Sequence, residues 1–215
     1  MEFENELTAV LPADLPNRET VVRKAAAHLQ LIVDANQYMN LTRIVSPREA
    51  AIKHVLDSLI PWRLFTQATN ILDAGTGAGF PGIPLALVFP EKQFTLAEST
   101  QKKARFVESA IDKLEIRNVI VATCRVEDLG GGFDLVTARA FAPLDKALDF
   151  LRTALKSGAK ALLYKGPDAA NEIAAAERIL GKLKAKAEIV MTYDLPDAAG
   201  SRTIVSVGLD PNRSP

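Results

Sequence analysis

The chain holds a single cysteine, Cys124, among 215 residues. That excludes an intramolecular disulfide and any metal site built from several cysteines, and it fits a reducing compartment. No apolar run is long enough to span a bilayer. The first residues, Met1-Glu2-Phe3-Glu4-Asn5-Glu6, are acidic and lack the apolar stretch of a signal peptide, so a cytoplasmic protein is expected. Net charge is missing too: Lys and Arg total 26, Asp and Glu total 26. A nucleic-acid partner would have to meet a local basic patch, because the field of the whole molecule attracts no polyanion. With 48% hydrophobic residues the chain has enough apolar side chain for one sizeable core. No repeat or low-complexity tract is visible.

What is there is concentrated in residues 70–84, Asn70-Ile71-Leu72-Asp73-Ala74-Gly75-Thr76-Gly77-Ala78-Gly79-Phe80-Pro81-Gly82-Ile83-Pro84. A short apolar run ends on the acid Asp73, as a buried parallel strand does. Gly75, Gly77 and Gly79 then let the backbone take positive φ and approach a ligand closely. The helix that follows aims its unpaired N–H groups at the same place. Gly77-x-Gly79-x-x-Gly82 fits the dinucleotide fingerprint, but Pro81 sits inside it. A phosphate-binding P-loop needs Lys and then Ser or Thr after the last glycine, and Ile83 and Pro84 stand there. The remaining form, acid-x-Gly-x-Gly-x-Gly at a strand end, resembles the first motif of S-adenosylmethionine-dependent methyltransferases. The structural alternative is a glycine-rich turn with no ligand.

The rest of the chain supplies an α/β frame. Residues 1–16, acidic and carrying Pro12 and Pro16, read as a frayed arm. Val21, Ala25, Leu29, Ile32 and Val33 recur at helical spacing up to about Tyr38, with Asn17 as N-cap. Ser46-Pro47-Arg48-Glu49 reads as a capping box with proline at the first helical position, opening a helix to about Ser58. A short helical piece follows around 61–65. Strands are expected over 70–73, 94–98, 118–122, 134–138 and 159–165. Helices are expected over 81–88, 100–114, 143–155 and 168–181. Two last strands, 187–193 and 203–209, are close enough to pair as a hairpin. Strand–helix alternation predicts a mainly parallel sheet with right-handed crossovers.

In such a sheet the carboxyl ends of neighbouring strands line one crevice. Glu98 ends the second strand, where an acid accepts hydrogen bonds from ribose hydroxyls; otherwise it is an exposed acid at a helix start. Arg125-Val126-Glu127-Asp128 follows the third strand and offers a backbone N–H and a carboxylate to an adenine edge. Arg139 follows the fourth strand between Ala138 and Ala140, an unusual setting for a merely solvated charge. The fourth-strand loop lacks the Asn/Asp-Pro-Pro-aromatic motif of enzymes that methylate exocyclic amines. Cys124 follows threonine, not proline, so it reads as a small core residue and not a nucleophile. An acceptor that is already nucleophilic is left.

Several segments together resemble the bacterial small-subunit ribosomal RNA guanine-N7 methyltransferases, the RsmG or GidB family. They are Asn40-Leu41-Thr42, His54-Val55-Leu56-Asp57-Ser58, the glycine segment with its Phe80-Pro81-Gly82-Ile83-Pro84 tail, Lys102-Lys103-x-Arg105-Phe106, Arg125-Val126-Glu127, Arg139-Ala140-Phe141-Ala142 and Lys165-Gly166. Ala74, Ala78 and Glu98 are its small departures from the family pattern. The resemblance implies a Rossmann-like class I fold with a seven-stranded, mainly parallel sheet, a C-terminal antiparallel hairpin and an N-terminal helical cap. Residues 1–65 would be the arm and cap of one domain, and 66–215 its methyltransferase body. S-adenosylmethionine is the implied donor, S-adenosylhomocysteine the product, and N7 of guanine 527 in 16S rRNA the implied acceptor. Cofactor contacts then fall on Asp73, Gly75, Gly77, Gly79, Phe80, Glu98, Val126, Glu127 and Arg139.

Guanine N7 carries a free lone pair and no proton, so positioning and desolvation matter more than acid–base groups. Arg139 and His54 are the candidate catalytic residues, as positioners; the alternatives are a structural ion pair and a packing histidine. Lys165, Lys102, Lys103, Arg105, Arg125 and Asn40 are the candidate RNA contacts, with Arg43, Arg48 and Lys53 in reserve; the alternative is a solvated face. A monomer is expected, and no metal. Three other readings stay open: a small-molecule methyltransferase, a nicotinamide-dependent oxidoreductase, and a non-enzymatic RNA-binding module.

Overall fold

The computed structural model describes residues 2–210. Seven strands form one sheet in the order β3-β2-β1-β4-β5-β7-β6. The strands are β1 (Asn70–Ala74), β2 (Gln93–Ala97), β3 (Val119–Ala122), β4 (Leu135–Arg139), β5 (Lys160–Lys165), β6 (Ala185–Asp194) and β7 (Ser201–Leu209). Strands β1 to β5 pair in parallel. Strand β7 runs antiparallel to both β5 and β6. Strand order reverses between β1 and β4, which puts the crevice over the carboxyl end of β1.

Among the described residues nine α-helices surround the sheet: α1 (Glu2–Val10), α2 (Arg18–Asn36), α3 (Pro47–Ala50), α4 (Asp57–Leu59), α5 (Gly82–Val88), α6 (Gln101–Lys113), α7 (Leu144–Phe150), α8 (Arg152–Lys156) and α9 (Ala169–Leu183). Successive strand residues serve opposite faces. Ile71, Phe94, Leu162, Tyr164 and Ile204 join the core with α1, α2, α5 and α6. Leu72, Val136, Ala138, Leu163 and Val205 join the other core, with α7 and α9. Strands β1, β2, β4 and β5 are therefore buried and mostly apolar through their middle residues, as parallel strands between helical layers are, while β3 and β6 at the two edges are more exposed.

The N-terminal residues depart from expectation. They form helix α1, not a frayed arm, and Phe3, Leu7, Leu11 and Leu15 are all buried. Phe3 and Leu7, four apart, lie on one face of α1, and Leu11 and Leu15 are buried in the turns that follow it; fully burying a leucine such as Leu7 stabilises by about 1.5–3 kcal/mol. Asn17 stands at the N-cap position of α2 and its carbonyl accepts the Val21 N–H at 2.9 Å, but at φ 54 its side chain makes no capping bond. Its amide reaches across to donate to the Val88 carbonyl at 3.1 Å. The capping box at Ser46 is not made either. Glu49 pairs instead with Lys53, at 2.7 Å, although Pro47 does open the helix.

That helix does not run on regularly. Between α3 and α4 lies a π-helical turn, Ala51–Leu56, and it carries Lys53 and His54. Such turns widen a helix locally and often mark functional positions. A 3-10 helix, Trp62–Phe65, leads into β1. The expected helix over 143–155 is two, α7 and α8, divided at the buried Leu151.

Candidate active site

The glycine segment leaves β1 and winds through positive φ at Gly75 (70°), Gly77 (63°) and Gly79 (100°). It is tied at both ends. Thr76 donates its N–H to the Ala97 carbonyl at the end of β2, 3.0 Å away. Gly82 donates its N–H to Asp73 Oδ2 at 2.9 Å. A Cβ on Gly82 would lie 2.2 Å from Leu96 Cδ2 and 2.7 Å from Asp73 Oδ2, so only glycine lets α5 sit this close to the sheet. Asp73, expected among the cofactor contacts, is fully buried beneath the loop and holds the loop's shape. Burial pushes its carboxyl up to about 6, against the opposing pull of the Thr76 hydroxyl and the Gly82 N–H. Thr76 Oγ1 and Asp73 Oδ1 have no partner at bonding geometry, so the hydroxyl is a near neighbour and not a formed bond.

One cavity borders this loop at Gly75, and a second lies beyond the histidine that stacks on its Phe80. The first, about 290 Å³, is lined by Gly75, Glu98, Val126, Glu127 and Phe141 among others. Glu98 is 7% exposed. Its Oε2 accepts the Gly77 N–H at 3.1 Å and its Oε1 accepts the Thr100 N–H at 2.7 Å. An ionised carboxylate has about four acceptor positions, so capacity remains for a ligand. Val126 and Glu127 open a 3-10 turn on the facing wall, with Val126 buried and Glu127 exposed. Cys124, expected in the core, is half-buried at the rim of this cavity. The ring of Phe141 covers Gly75: a Cβ there would be 2.6 Å from Phe141 Cδ2.

The second cavity, about 350 Å³, is lined by Ile44, Lys53, His54, Asp57, Arg139, Tyr164, Lys165 and Arg202 among others. His54 stacks on Phe80, centroids 4.7 Å apart and planes at 9°. Its Nε2 lies 3.2 Å from the Ile44 carbonyl and 3.3 Å from the Thr42 hydroxyl. Burial, then the Arg139 charge, lower its pKa to about 4, so the ring is neutral near pH 7. The guanidinium of Arg139 lies 5.4 Å from the centre of the Phe80 ring. Its Nη1 donates to the carbonyls of Lys53 (2.9 Å) and His54 (3.2 Å) and to Asp57 Oδ2 (3.1 Å). Its Nε and Nη2 bond to none of the described residues.

Sequence reasoning singled out Asp57 as a cleft-side group or a cap contact, but missed Arg202 and Tyr193, which share it with Arg139. Asp57, 2% exposed, also takes Arg202 Nε at 3.4 Å and the Tyr193 hydroxyl at 2.9 Å. Both come from the C-terminal hairpin, more than 130 residues away in sequence, and no local pattern announces them. His28 was missed as well. It lies fully buried under the loop, its ring 4.9 Å from Phe80, and its Nε2 is 2.9 Å from the Ala78 carbonyl. A histidine among Ala25, Leu29 and Ile32 on an apolar stripe was its only signal.

The expected RNA contacts do not form one group. Lys165 is engaged by Glu172 (2.7 Å) and the Ala142 carbonyl (2.6 Å), because α9 brings Glu172 back over the end of β5. Its ammonium is thus paired, with two of its three N–H groups in use. Arg48 is held by Glu6 and Asp197, and Lys53 by Glu49. Arg125 is exposed at the rim of the first cavity. Asn40 and Arg43 are exposed in the loop before α3. Lys102 and Arg105 are exposed on α6, with Lys103 half-buried between them. Among the described residues, no group of three or more His, Cys, Asp or Glu is placed to hold a metal ion. A larger cavity of about 510 Å³, lined by Asn17, Lys24, Gln93 and Arg117, lies at the opposite, amino-terminal edge of the strands and touches none of these groups.

Comparison with known proteins speaks to the family and fold of the chain as a whole. The family model described as GidB, rRNA small subunit methyltransferase G, matches residues 21–199. A "Ribosomal RNA small subunit methyltransferase G" of Solibacter usitatus is 57% identical over 209 residues, covering 96% of this chain and all of that protein. One of the same name from Leuconostoc citreum is 30% identical, covering 96% of this chain and 90% of that protein. Among solved structures, the magnesium protoporphyrin IX methyltransferase of Synechocystis PCC 6803 with bound SAM superposes with a TM-score of 0.60. It is 16% identical, over 85% of this chain and 97% of that one. A SAM-dependent O-methyltransferase of Thermotoga maritima gives 0.54 at 17% identity, over 83% of this chain and 71% of that one. At such identity the two structures speak for the fold alone.

Proposed function

The chain belongs to the GidB family, rRNA small subunit methyltransferase G, and from that membership we propose a reaction and a role for each residue of the site. The protein is an enzyme that transfers a methyl group from S-adenosylmethionine to the 16S rRNA of the small ribosomal subunit. This decides against the small-molecule, nicotinamide and non-enzymatic alternatives. The acceptor we assign is the N7 atom of guanine 527. The active form is a monomer working in the cytoplasm, the first of which light scattering of the free protein checks.

The first cavity fits the donor. A Cβ on Gly77 would meet nothing closer than 4.0 Å, so the loop faces open space at positive φ. Glu98 retains acceptor capacity for two ribose hydroxyls. Val126 and Glu127 offer an N–H and a carboxylate to the adenine edge, and Gly75, Gly79 and Phe80 carry the methionine end. S-adenosylmethionine supplies, when bound, an electrophilic methyl that brings its own leaving group.

The second cavity receives the base. Phe80 belongs to the loop and stacks on His54, which lines this cavity, so the ring holds the loop against the cavity wall and the base lies beside the donor's methyl. Neutral His54 presents a flat, uncharged surface to the guanine. Guanine shows O6 and N7 as neighbouring acceptors. Nε or Nη2 of Arg139, donating to O6, fixes the base and leaves N7 to the methyl. Nothing has to remove a proton, so alignment does most of the work; orientation of this kind lowers a barrier by roughly 7–11 kcal/mol.

The observation that carries this reading is the free edge of Arg139 beside a neutral His54–Phe80 stack. The test is transfer of labelled methyl from S-adenosylmethionine to small subunits that lack the modification. Labelled 16S rRNA is expected; unlabelled RNA in both naked and assembled form contradicts the assignment.

A further inference from the structure

Tyr38 is the most exposed large apolar side chain described, at 79%. It stands at the end of α2, over a groove of about 270 Å³ shared with Met39, Phe106, Lys102, Arg105 and Lys113. None of the three cations is in an ion pair among the described residues. The groove's one carboxylate, Asp34, accepts a bond from Gln30 at 2.9 Å. An exposed aromatic ring ringed by unpaired cations has the composition of a platform for unpaired nucleotides: bases stack on the ring and phosphates meet the cations.

The groove is tied to the acceptor cavity by one short segment. Residues 38 and 39 line the groove, and Ile44 of the same loop lines the cavity that holds His54 and Arg139. Six residues separate Tyr38 from Ile44, so the two lie no more than about 22 Å apart, a span of a few nucleotides. Asn36 fixes the loop's base. Its Oδ1 accepts the N–H groups of Leu41 (2.9 Å) and Thr42 (3.3 Å), and its Nδ2 donates to the Thr42 carbonyl (2.6 Å). Tyr38 is thereby held outside the core at a set distance from the site.

We infer that Tyr38 is a stacking platform for a single-stranded nucleotide flanking the one that is methylated, with Lys102, Arg105 and Lys113 meeting its phosphates. The inference rests on the proposed function, since it assigns the neighbouring part of the same RNA. It accounts for an aromatic ring that packing leaves unused, and for the basic turn of α6.

The experiment measures anisotropy of a short, labelled single-stranded RNA with the intact protein, the Tyr38→Ala variant and the Tyr38→Phe variant. Tyr38→Ala is expected to weaken binding roughly 5- to 150-fold, the range base–aromatic stacking spans, while Tyr38→Phe stays within roughly twofold. Affinity for S-adenosylhomocysteine and the thermal midpoint should not change. Replacing Lys102 and Arg105 by Gln should flatten the plot of log affinity against log salt by about 0.7 per charge. Equal RNA affinity of Tyr38→Ala and the intact protein, or no RNA binding by the intact protein, overturns the inference. Methyl transfer by the intact protein to small subunits is scored separately, so loss of the proposed function would be seen apart from loss of this platform.

Discussion

Arg139 and Asp57 meet at 3.1 Å, although 82 residues separate them in sequence. The carboxylate is 2% exposed and is shared with Arg202 and Tyr193. One Arg139 nitrogen is thus fixed by the helical cap, and the others are left to the substrate cavity.

Arg139→Ala should therefore do two separate things. It removes one cation from a buried carboxylate, which destabilises by about 3–5 kcal/mol when a buried pair is broken; the second cation, Arg202, puts the expectation at the low end of that range. It also removes the group that fixes the base, and misplacement on that scale costs about 10²-fold in rate. Urea unfolding reads the first effect and single-turnover transfer the second. Normal stability with normal transfer would take Arg139 out of the site.

Glu98→Gln should weaken the cofactor and also lower the thermal midpoint, because its NH2 must face either the Gly77 or the Thr100 N–H that a carboxylate oxygen now accepts. Hydrogen bonds to a charged acceptor contribute about 1.5–3 kcal/mol, so titration calorimetry with S-adenosylhomocysteine should show a dissociation constant roughly 10- to 100-fold higher. An unchanged constant would detach Glu98 from the ribose.

Gly82→Ala places a methyl 2.2 Å from Leu96 Cδ2. Overpacking of this kind costs about 1–3 kcal/mol. The thermal midpoint should fall, and cofactor affinity with it, because the Gly82 N–H that Asp73 accepts anchors the loop.

Acid should destabilise the protein through its two buried histidines. His28 and His54 each have a pKa lowered to about 4, chiefly by burial. A depressed folded-state value favours the neutral form. The stability it represents is complete above the unfolded value of 6.5 and is lost as pH falls from there through 4. Asp73 acts in the opposite sense: burial raises it to about 6, so protonation there favours the folded state as pH falls. Two groups outweigh one, and the thermal midpoint should drop between pH 6.5 and pH 4. His54→Phe keeps a ring on Phe80 and should make that drop shallower by about 2–3 kcal/mol. An unchanged slope would mean the ring is not buried neutral.

Local chemistry was legible in the sequence, and long-range chemistry was not. Strands β1 to β5 follow from apolar runs bounded by glycine or acids, and the place of Glu98 beside the glycine loop was legible because it follows directly on a strand end. Helix α1 was hidden by its acidity and by the prolines that follow it, although Phe3 and Leu7 mark its buried face and Leu11 and Leu15 continue the burial beyond it. Lys165 looked free until α9 delivered Glu172. The π-helical turn at Ala51–Leu56 has no signature in composition, yet its Lys53 and His54 carbonyls help orient Arg139.

The most direct test of the account is the chemical identity of the product. Small subunits lacking the modification are incubated with the intact protein and labelled S-adenosylmethionine, and the 16S rRNA is digested to nucleosides. All label should elute as 7-methylguanosine, and Arg139→Ala should abolish most of it. Label in any other nucleoside would contradict an acceptor that needs no base.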